Sequence, residues 1–207
     1  MPFVEQFWYV GGENATKDAR TLHRYSKSSG INLEMDYWLT PNWKMSTVLE
    51  YTEQRYIQPQ RQNSNGNSYS VSNTLIYMPN SQQFWFVGLD YYQKNTQLKA
   101  YAFERQGIRL GWGQEWSKGI STRLQTSYAT RTYQAPSAEK NTIFAPSFFK
   151  VVQKNREYGV NFTIWHRSVH WLGITPKITW AYQKTTSNNP FSEYDRNRIY
   201  LTFSKNF

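Results

Sequence analysis

The residues of this 207-residue chain best suited to chemistry are three histidines, His23, His166 and His170, and a carboxylate pair, Glu34 and Asp36. His166 and His170 stand four apart, a spacing that gathers two imidazoles on a helix but not across a strand and its turn. They are expected to be interfacial or turn histidines, with no metal site. Glu34 and Asp36 share one face of an extended segment. Two close carboxylates can divide acid–base work, but a pair facing cations is more simply part of an ion network. Such cations are at hand in Arg109, Arg123, Arg131, Arg167, Lys177 and Arg198, and Glu50 and Asp90 add two more carboxylates. Gly107, Gly111 and Gly113 alternate along a strand and open no helix, so they do not form a phosphate cradle. Bending or packing is their expected role. The chain has no cysteine, which removes thiol nucleophiles, thiolate metal ligands and disulfides together. No Ser/His/Asp grouping stands out either. The expectation is a non-enzyme with no catalytic residue, cofactor or metal.

What must position those charges is a series of extended segments. Ile31, Leu33, Met35 and Tyr37 alternate with Asn32, Glu34, Asp36 and Trp38, and the same two-residue period recurs along the chain. It carries Met45 to Tyr51, Tyr69 to Tyr77, Val87 to Tyr91, Ile108 to Trp112, Ile120 to Tyr128 and Tyr158 to Ile164. The clearest case sets Leu172, Ile174, Pro176, Ile178, Trp180 and Tyr182 against Gly173, Thr175, Lys177, Thr179, Ala181 and Gln183. Pro176 is a blemish there, because it lacks one ladder donor. No helical period persists beyond about a turn. The reading is all-β, with about ten antiparallel strands.

Connection lengths divide these strands further. Short turns (40–43, 79–82, 116–119, 168–171) interleave with longer ones (11–29, 58–67, 93–99, 134–155, 184–195). Outer-membrane barrels have short periplasmic turns and longer outer loops. The face opposite the apolar rows is small and polar with paired charges, as a wet lumen prefers, and the apolar rows end in Trp or Tyr near the turns. Glu34, Asp36, Glu50, Asp90, Arg109, Arg123, Arg131, Lys177 and Arg198 are therefore expected to line the lumen as a charged network. The alternatives are a soluble β-sandwich or lipocalin-like ligand binder, whose hidden face would be the apolar one, and a membrane-embedded barrel enzyme using Glu34 and Asp36.

Composition agrees with the membrane reading. Aromatics make up 18% of the chain, including 16 Tyr and 9 Trp, the side chains that favour a membrane–water boundary. Mean hydropathy is −0.77, and no run approaches the roughly 20 apolar residues of a spanning helix. A barrel needs only alternate apolar residues. The net charge of +10 is scattered rather than blocked, which suits lipopolysaccharide or an acidic client better than nucleic acid. The aromatic and basic interleaving, a pattern shared with single-stranded nucleic-acid binders, is explained more cheaply by aromatic girdles. The N-terminus, MPFVEQFWYVGG, has no basic region followed by an apolar one, so no signal peptide is expected.

The last segment is the most telling. Ile199, Leu201, Phe203 and Phe207 alternate with Arg198, Tyr200, Thr202, Ser204 and Asn206, and the sequence closes on an aromatic. This resembles the C-terminal assembly signal of outer-membrane barrels, departing from it at Thr202 and Lys205. Ile199, Leu201, Phe203 and Phe207 are thus expected to serve barrel assembly by the insertion machinery.

The order of several segments resembles a known family. Arg156 to Arg167, Trp171-Leu172-Gly173-Ile174-Thr175-Pro176, Tyr182, Ser187-Asn188-Asn189, Phe191, Tyr194, Arg196-Asn197 and Phe203 to Phe207 resemble the C-terminal barrel of the surface lipoprotein assembly modifier (Slam) family. His23-Arg24-Tyr25, Leu39 to Trp43 and Trp112 to Gly119 extend the likeness upstream. The resemblance implies a two-part protein: a periplasmic helical-repeat region, then a barrel of more strands than the ten counted here. It implies a single outer-membrane barrel domain over 1–207, the C-terminal portion of that architecture from a truncated or split member. It also implies assistance to lipoproteins crossing to the bacterial surface. The implied partners are outer-membrane lipid and lipopolysaccharide, a client surface lipoprotein, the barrel assembly machinery and a separate periplasmic helical-repeat segment. A plain pore or an adhesin-like barrel is the alternative within the same fold.

Overall fold

The computed structural model describes residues 2–10, 22–57, 59–138, 146–169 and 174–205. Ten strands follow one another: β1 (Pro2–Val10), β2 (Leu22–Thr40), β3 (Trp43–Tyr56), β4 (Gly66–Asn80), β5 (Gln83–Thr96), β6 (Phe103–Glu115), β7 (Ile120–Tyr133), β8 (Lys154–His166), β9 (Ile174–Ser187) and β10 (Tyr194–Lys205). Each pairs antiparallel with its sequence neighbours in the order β1 to β10. Among the described residues no ladder joins β10 to β1, so each of these is an edge. Strands β3 to β10 run 12 to 15 residues. That exceeds the roughly 9–11 residues a tilted strand needs to span a bilayer. His170, Trp171, Leu172, Gly173, Asn206 and Phe207 lie outside the described residues, as does the 11–21 connection.

Register decides which residues share a face, because paired residues of an antiparallel ladder lie on the same side. One row runs Trp43, Tyr77, Trp85, Trp112, Leu124, Phe162, Trp180 and Ile199. The next outward row toward the long connections includes Met45, Leu75, Val87, Leu110, Val160 and Tyr182. These rows are largely exposed, with Trp85 at 49%, Leu110 at 52% and Ile199 at 76% of full accessibility. The only buried hydrophobic residues among those described are Phe86, Ala102, Ala129 and Ala181. A soluble domain this size hides its large apolar side chains inside. This sheet shows them on one face and encloses small and polar groups on the other, where Gly88, Ala129, Thr179, Ala181 and Thr185 are buried.

Tryptophans gather on the outward face toward the short turns. Trp43 and Tyr77 make a tilted contact at 4.6 Å, Trp85 and Trp112 lie 6.0 Å apart, and Trp116 meets Trp112 edge-on at 6.1 Å. Trp116 donates its indole N–H to Thr122 Oγ1 at 2.8 Å. With its amide oxygen turned toward them, Gln83 accepts from both Trp85 and Trp112 at 3.2 Å. Tyrosines take the other half of the face, as the pairs Tyr51–Tyr69 and Tyr128–Tyr158, each at 5.1 Å. Indole and phenol rings with wetted tips separated by aliphatic rows match the two girdles of a membrane barrel.

The long connections are tied to their neighbours by backbone bonds. Gln97 N–H donates to Asn65 O at 3.0 Å, Gln134 N–H to Ala102 O at 2.9 Å, and Asn188 N–H to Lys154 O at 3.3 Å. The β6–β7 turn uses positive φ at Lys118 (63°) and Gly119 (85°). Pro176 does little damage. The β8–β9 ladder ends at Trp165↔Lys177, so Pro176 faces only Phe203 of β10.

Candidate functional site

The enclosed face is where chemistry would reside. Following the ladders, Glu34, Asp36, Glu50, Asp90, Arg109, Arg123, Arg131, Lys177 and Arg198 all fall on this side of the sheet, with Glu34, Asp36, Arg123 and Arg198 exposed and the other five half-buried. Of these nine, only Asp90 and Arg109 form an ion pair with each other among the described residues. Arg109 Nε donates to Asp90 Oδ2 at 2.6 Å and Nη2 to Oδ1 at 2.9 Å, a two-pronged contact. Nη2 also reaches Ser72 Oγ at 2.8 Å and Thr74 Oγ1 at 3.3 Å, while the Ser72 hydroxyl donates to Asp90 Oδ1 at 2.8 Å. The guanidinium lies over Gly88, where an added Cβ would stand 3.1 Å from Nη2.

A second cluster sits nearer the long connections. Arg105 and Arg131 are directly paired across β6 and β7, an arrangement in which like charges repel. Glu157 of β8 offsets it. Its Oε2 accepts from Arg105 Nε at 2.8 Å and its Oε1 lies 2.8 Å from Arg131 Nη2. The Arg131 guanidinium also covers the Phe103 ring at 4.7 Å. Three arginines, 105, 109 and 131, thus share two carboxylates, 90 and 157, leaving one positive charge in excess.

Most of the other expected residues have local partners. Asp36 pairs with Lys44 at 2.7 Å, and Glu50 accepts the Thr52 hydroxyl at 2.8 Å. Arg198 donates to Gln183 Oε1 at 3.0 Å. Lys177 lies 5.2 Å from the Trp165 ring centre. Glu34 stands opposite Val48, and it makes no ion pair among the described residues. Glu34 and Asp36 are therefore not gathered into an acid–base pair. Arg123 caps an aromatic stack, 5.6 Å from the Phe86 ring and 5.9 Å from Phe84. Those two rings lie over Gly111 and Gly113 of β6, where any Cβ would collide with them.

His166 serves the β8–β9 turn, its Nδ1 accepting from Ser168 N–H at 3.2 Å. His23 belongs to β2. Among the described residues no three His, Cys, Asp or Glu side chains cluster as metal ligands. Glu157 and Arg105 are the two members that sequence reasoning left out of the network. Glu157 already stood on the polar side of its strand and was the one carboxylate there. Arg105 lies before the clear alternation of Ile108 to Trp112, in a part of β6, which begins at Phe103, where period two is not evident from sequence.

Chemically, the described residues of this face hold fixed dipoles and partly neutralised charges. It provides a wettable wall. Backed by an apolar outer surface, such a wall separates water from hydrocarbon.

Comparison with known proteins bears on whose wall it is. The family model described as "Surface lipoprotein assembly modifier" matches residues 1–207. A surface lipoprotein assembly modifier of Pasteurella multocida (strain Pm70) is 95% identical over 207 residues, covering 100% of this chain and 41% of the relative. Surface lipoprotein assembly modifier 1 of Haemophilus influenzae (strain ATCC 51907 / DSM 11121 / KW20 / Rd) is 49% identical over 207 residues, covering 100% of this chain and 40% of its own. Among solved structures, a BenF-like porin from Pseudomonas fluorescens Pf-5 gives a TM-score of 0.48 at 12% identity, over 98% of this chain and 55% of the porin. The chain thus spans about two fifths of the length of the curated relatives it matches. With the family model matching from end to end, this chain belongs to the surface lipoprotein assembly modifier family.

Proposed function

We propose that this sheet forms part of the wall of a bacterial outer-membrane barrel that assists lipoproteins in reaching the cell surface. The observation that carries the reading is the exposure of the apolar rows opposite an enclosed polar face. In water, that much exposed apolar area would drive association; in a bilayer it is the proper solvent-facing surface. Backbone groups at the edges β1 and β10 must also be paired within lipid, by each other or by further strands. The polar face, or the seam beside β10, then offers a hydrophilic polypeptide a route outward. The client is a surface lipoprotein, as the relatives' names imply for them. The partners in this reading are outer-membrane lipid and lipopolysaccharide, the barrel assembly machinery and a periplasmic helical-repeat segment. The wall carries out no reaction of its own, and nucleic acid has no place in it.

The test uses the full-length protein in a strain from which its gene has been deleted. Protease accessibility of a co-expressed surface lipoprotein on intact cells should be lost on deletion and restored by the gene. Equal surface display in the deletion strain would contradict the reading. Ion conductance in planar bilayers without any effect on display would instead identify a plain pore.

A further inference from the structure

On the outward face, beyond the Tyr128–Tyr158 pair, the composition changes from apolar to basic. Arg156 of β8 is the next outward residue past Tyr158, and Lys154 the one after it. Their paired neighbours on that face are hydroxyl residues: Thr130 and Thr132 on β7, and Thr186 on β9. Lys184 lies opposite Tyr158. Arg156, Lys154 and the three threonines line a hollow of about 510 Å³ together with Asn188, whose Oδ1 accepts the Lys154 backbone N–H at 2.8 Å, and with Arg131, Asn155 and Ser187 of the opposite face. Lys154, Arg156 and Lys184 are exposed and make no ion pair among the described residues.

Among the described residues, carboxylates near this patch are few. Asp195 stands opposite Lys184 but takes the Tyr182 hydroxyl at 3.1 Å. Glu104 lies beyond Thr132, one strand further from Lys154, and Glu193 accepts the Ser187 N–H at 3.1 Å. None is paired in register with Arg156 or Lys154.

The geometry points to a phosphate-binding site at Lys154 and Arg156, taking the phosphorylated headgroup of an outer-leaflet lipid of the lipopolysaccharide type. The inference rests on the barrel reading above and deepens it. Both cations lie on the same face of the wall as Tyr158 and Val160, the lipid-facing one in this reading. They stand at the end of β8 that joins the long connections, which a barrel turns outward. Just past the tyrosine girdle is the depth of headgroups, where the available anions are lipid phosphates. Guanidinium and ammonium donors with flanking hydroxyls suit tetrahedral phosphate oxygens.

The experiment places the full-length protein in neutral phosphatidylcholine vesicles and titrates in diphosphoryl lipid A or its dephosphorylated form. Wild type is expected to prefer the phosphorylated lipid. The variant Lys154→Gln/Arg156→Gln is expected to bind it roughly 30-fold more weakly, the summed worth of two basic side chains against anionic lipid. Lys118→Gln/Arg167→Gln, removing two charges at the opposite end of the strands, should leave binding unchanged. Wild type that floats with the vesicles yet binds both lipids equally overturns the site alone. Equal loss in both double variants also overturns it, because bulk charge would then be the cause. Wild type that fails to insert overturns the barrel reading and the site with it.

Discussion

Replacing Leu110 by arginine is expected to cost about 2–4 kcal/mol of stability in vesicles, the penalty for a cation on the lipid face near the bilayer midplane. Leu110 sits within β6 on the exposed row that includes Val87 and Val160, between the tryptophan and tyrosine halves of the outward face. The same substitution on a water-facing strand would stay within about 0.5 kcal/mol. Arginine is soluble and the site is open, so sterics give no reason for a loss. Only the identity of the surrounding medium separates the two outcomes. Urea unfolding of the vesicle-inserted full-length protein, followed by tryptophan emission, measures the difference. An effect near zero would mean that the row faces water.

Gly111→Val is expected to destabilise by about 1–3 kcal/mol, the usual cost of forcing extra volume into a packed site. Strand propensity alone argues the opposite sign, since valine for glycine in an open strand position gains up to about 1 kcal/mol. The Phe86 ring decides. It lies over Gly111, is itself buried, and is capped by Arg123 at 5.6 Å and flanked by Phe84 at 6.5 Å, so it has little room to swing aside. Phe86→Ala in the same chain should recover much of the loss, leaving a coupling of about 1 kcal/mol or more between the two positions. Additive losses, or a gain from valine alone, would show that the ring does not occupy that space.

Much of this architecture was legible because alternation survives wherever one side of a strand meets lipid and the other meets water. Met45 to Tyr51, Val87 to Tyr91 and Ile174 to Tyr182 read as strands for that reason, and each lies within one. The alternation of short and long connections also gave the meander its parity. Legibility failed where a segment is apolar on both faces. Phe84-Trp85-Phe86-Val87 is an unbroken apolar run, so period two cannot assign its sides. The answer lies in the adjacent strand, where Gly111 and Gly113 leave room for two inward rings.

The charged network shows the same limit. Pattern placed nine charges by face but could not say which would meet. Pairing depends on register between strands, and register brings Asp90 and Gly107 opposite each other and so sets Arg109 beside Asp90. Glu157, the residue that reconciles Arg105 with Arg131, gains its importance only once three strands are aligned. A single strand's sequence does not contain that information.

The absence of cysteine from these 207 residues simplifies one measurement. Single cysteines at Leu89, Leu110 and Ile178 on one face, and at Ser72, Ser127 and Thr179 on the other, can each carry a nitroxide in the vesicle-inserted full-length protein. The first set should collide freely with dissolved oxygen and be shielded from a water-soluble nickel chelate. The second set should be reached by the chelate. Chelate access at Leu89, Leu110 and Ile178, with the other three shielded, would contradict the account.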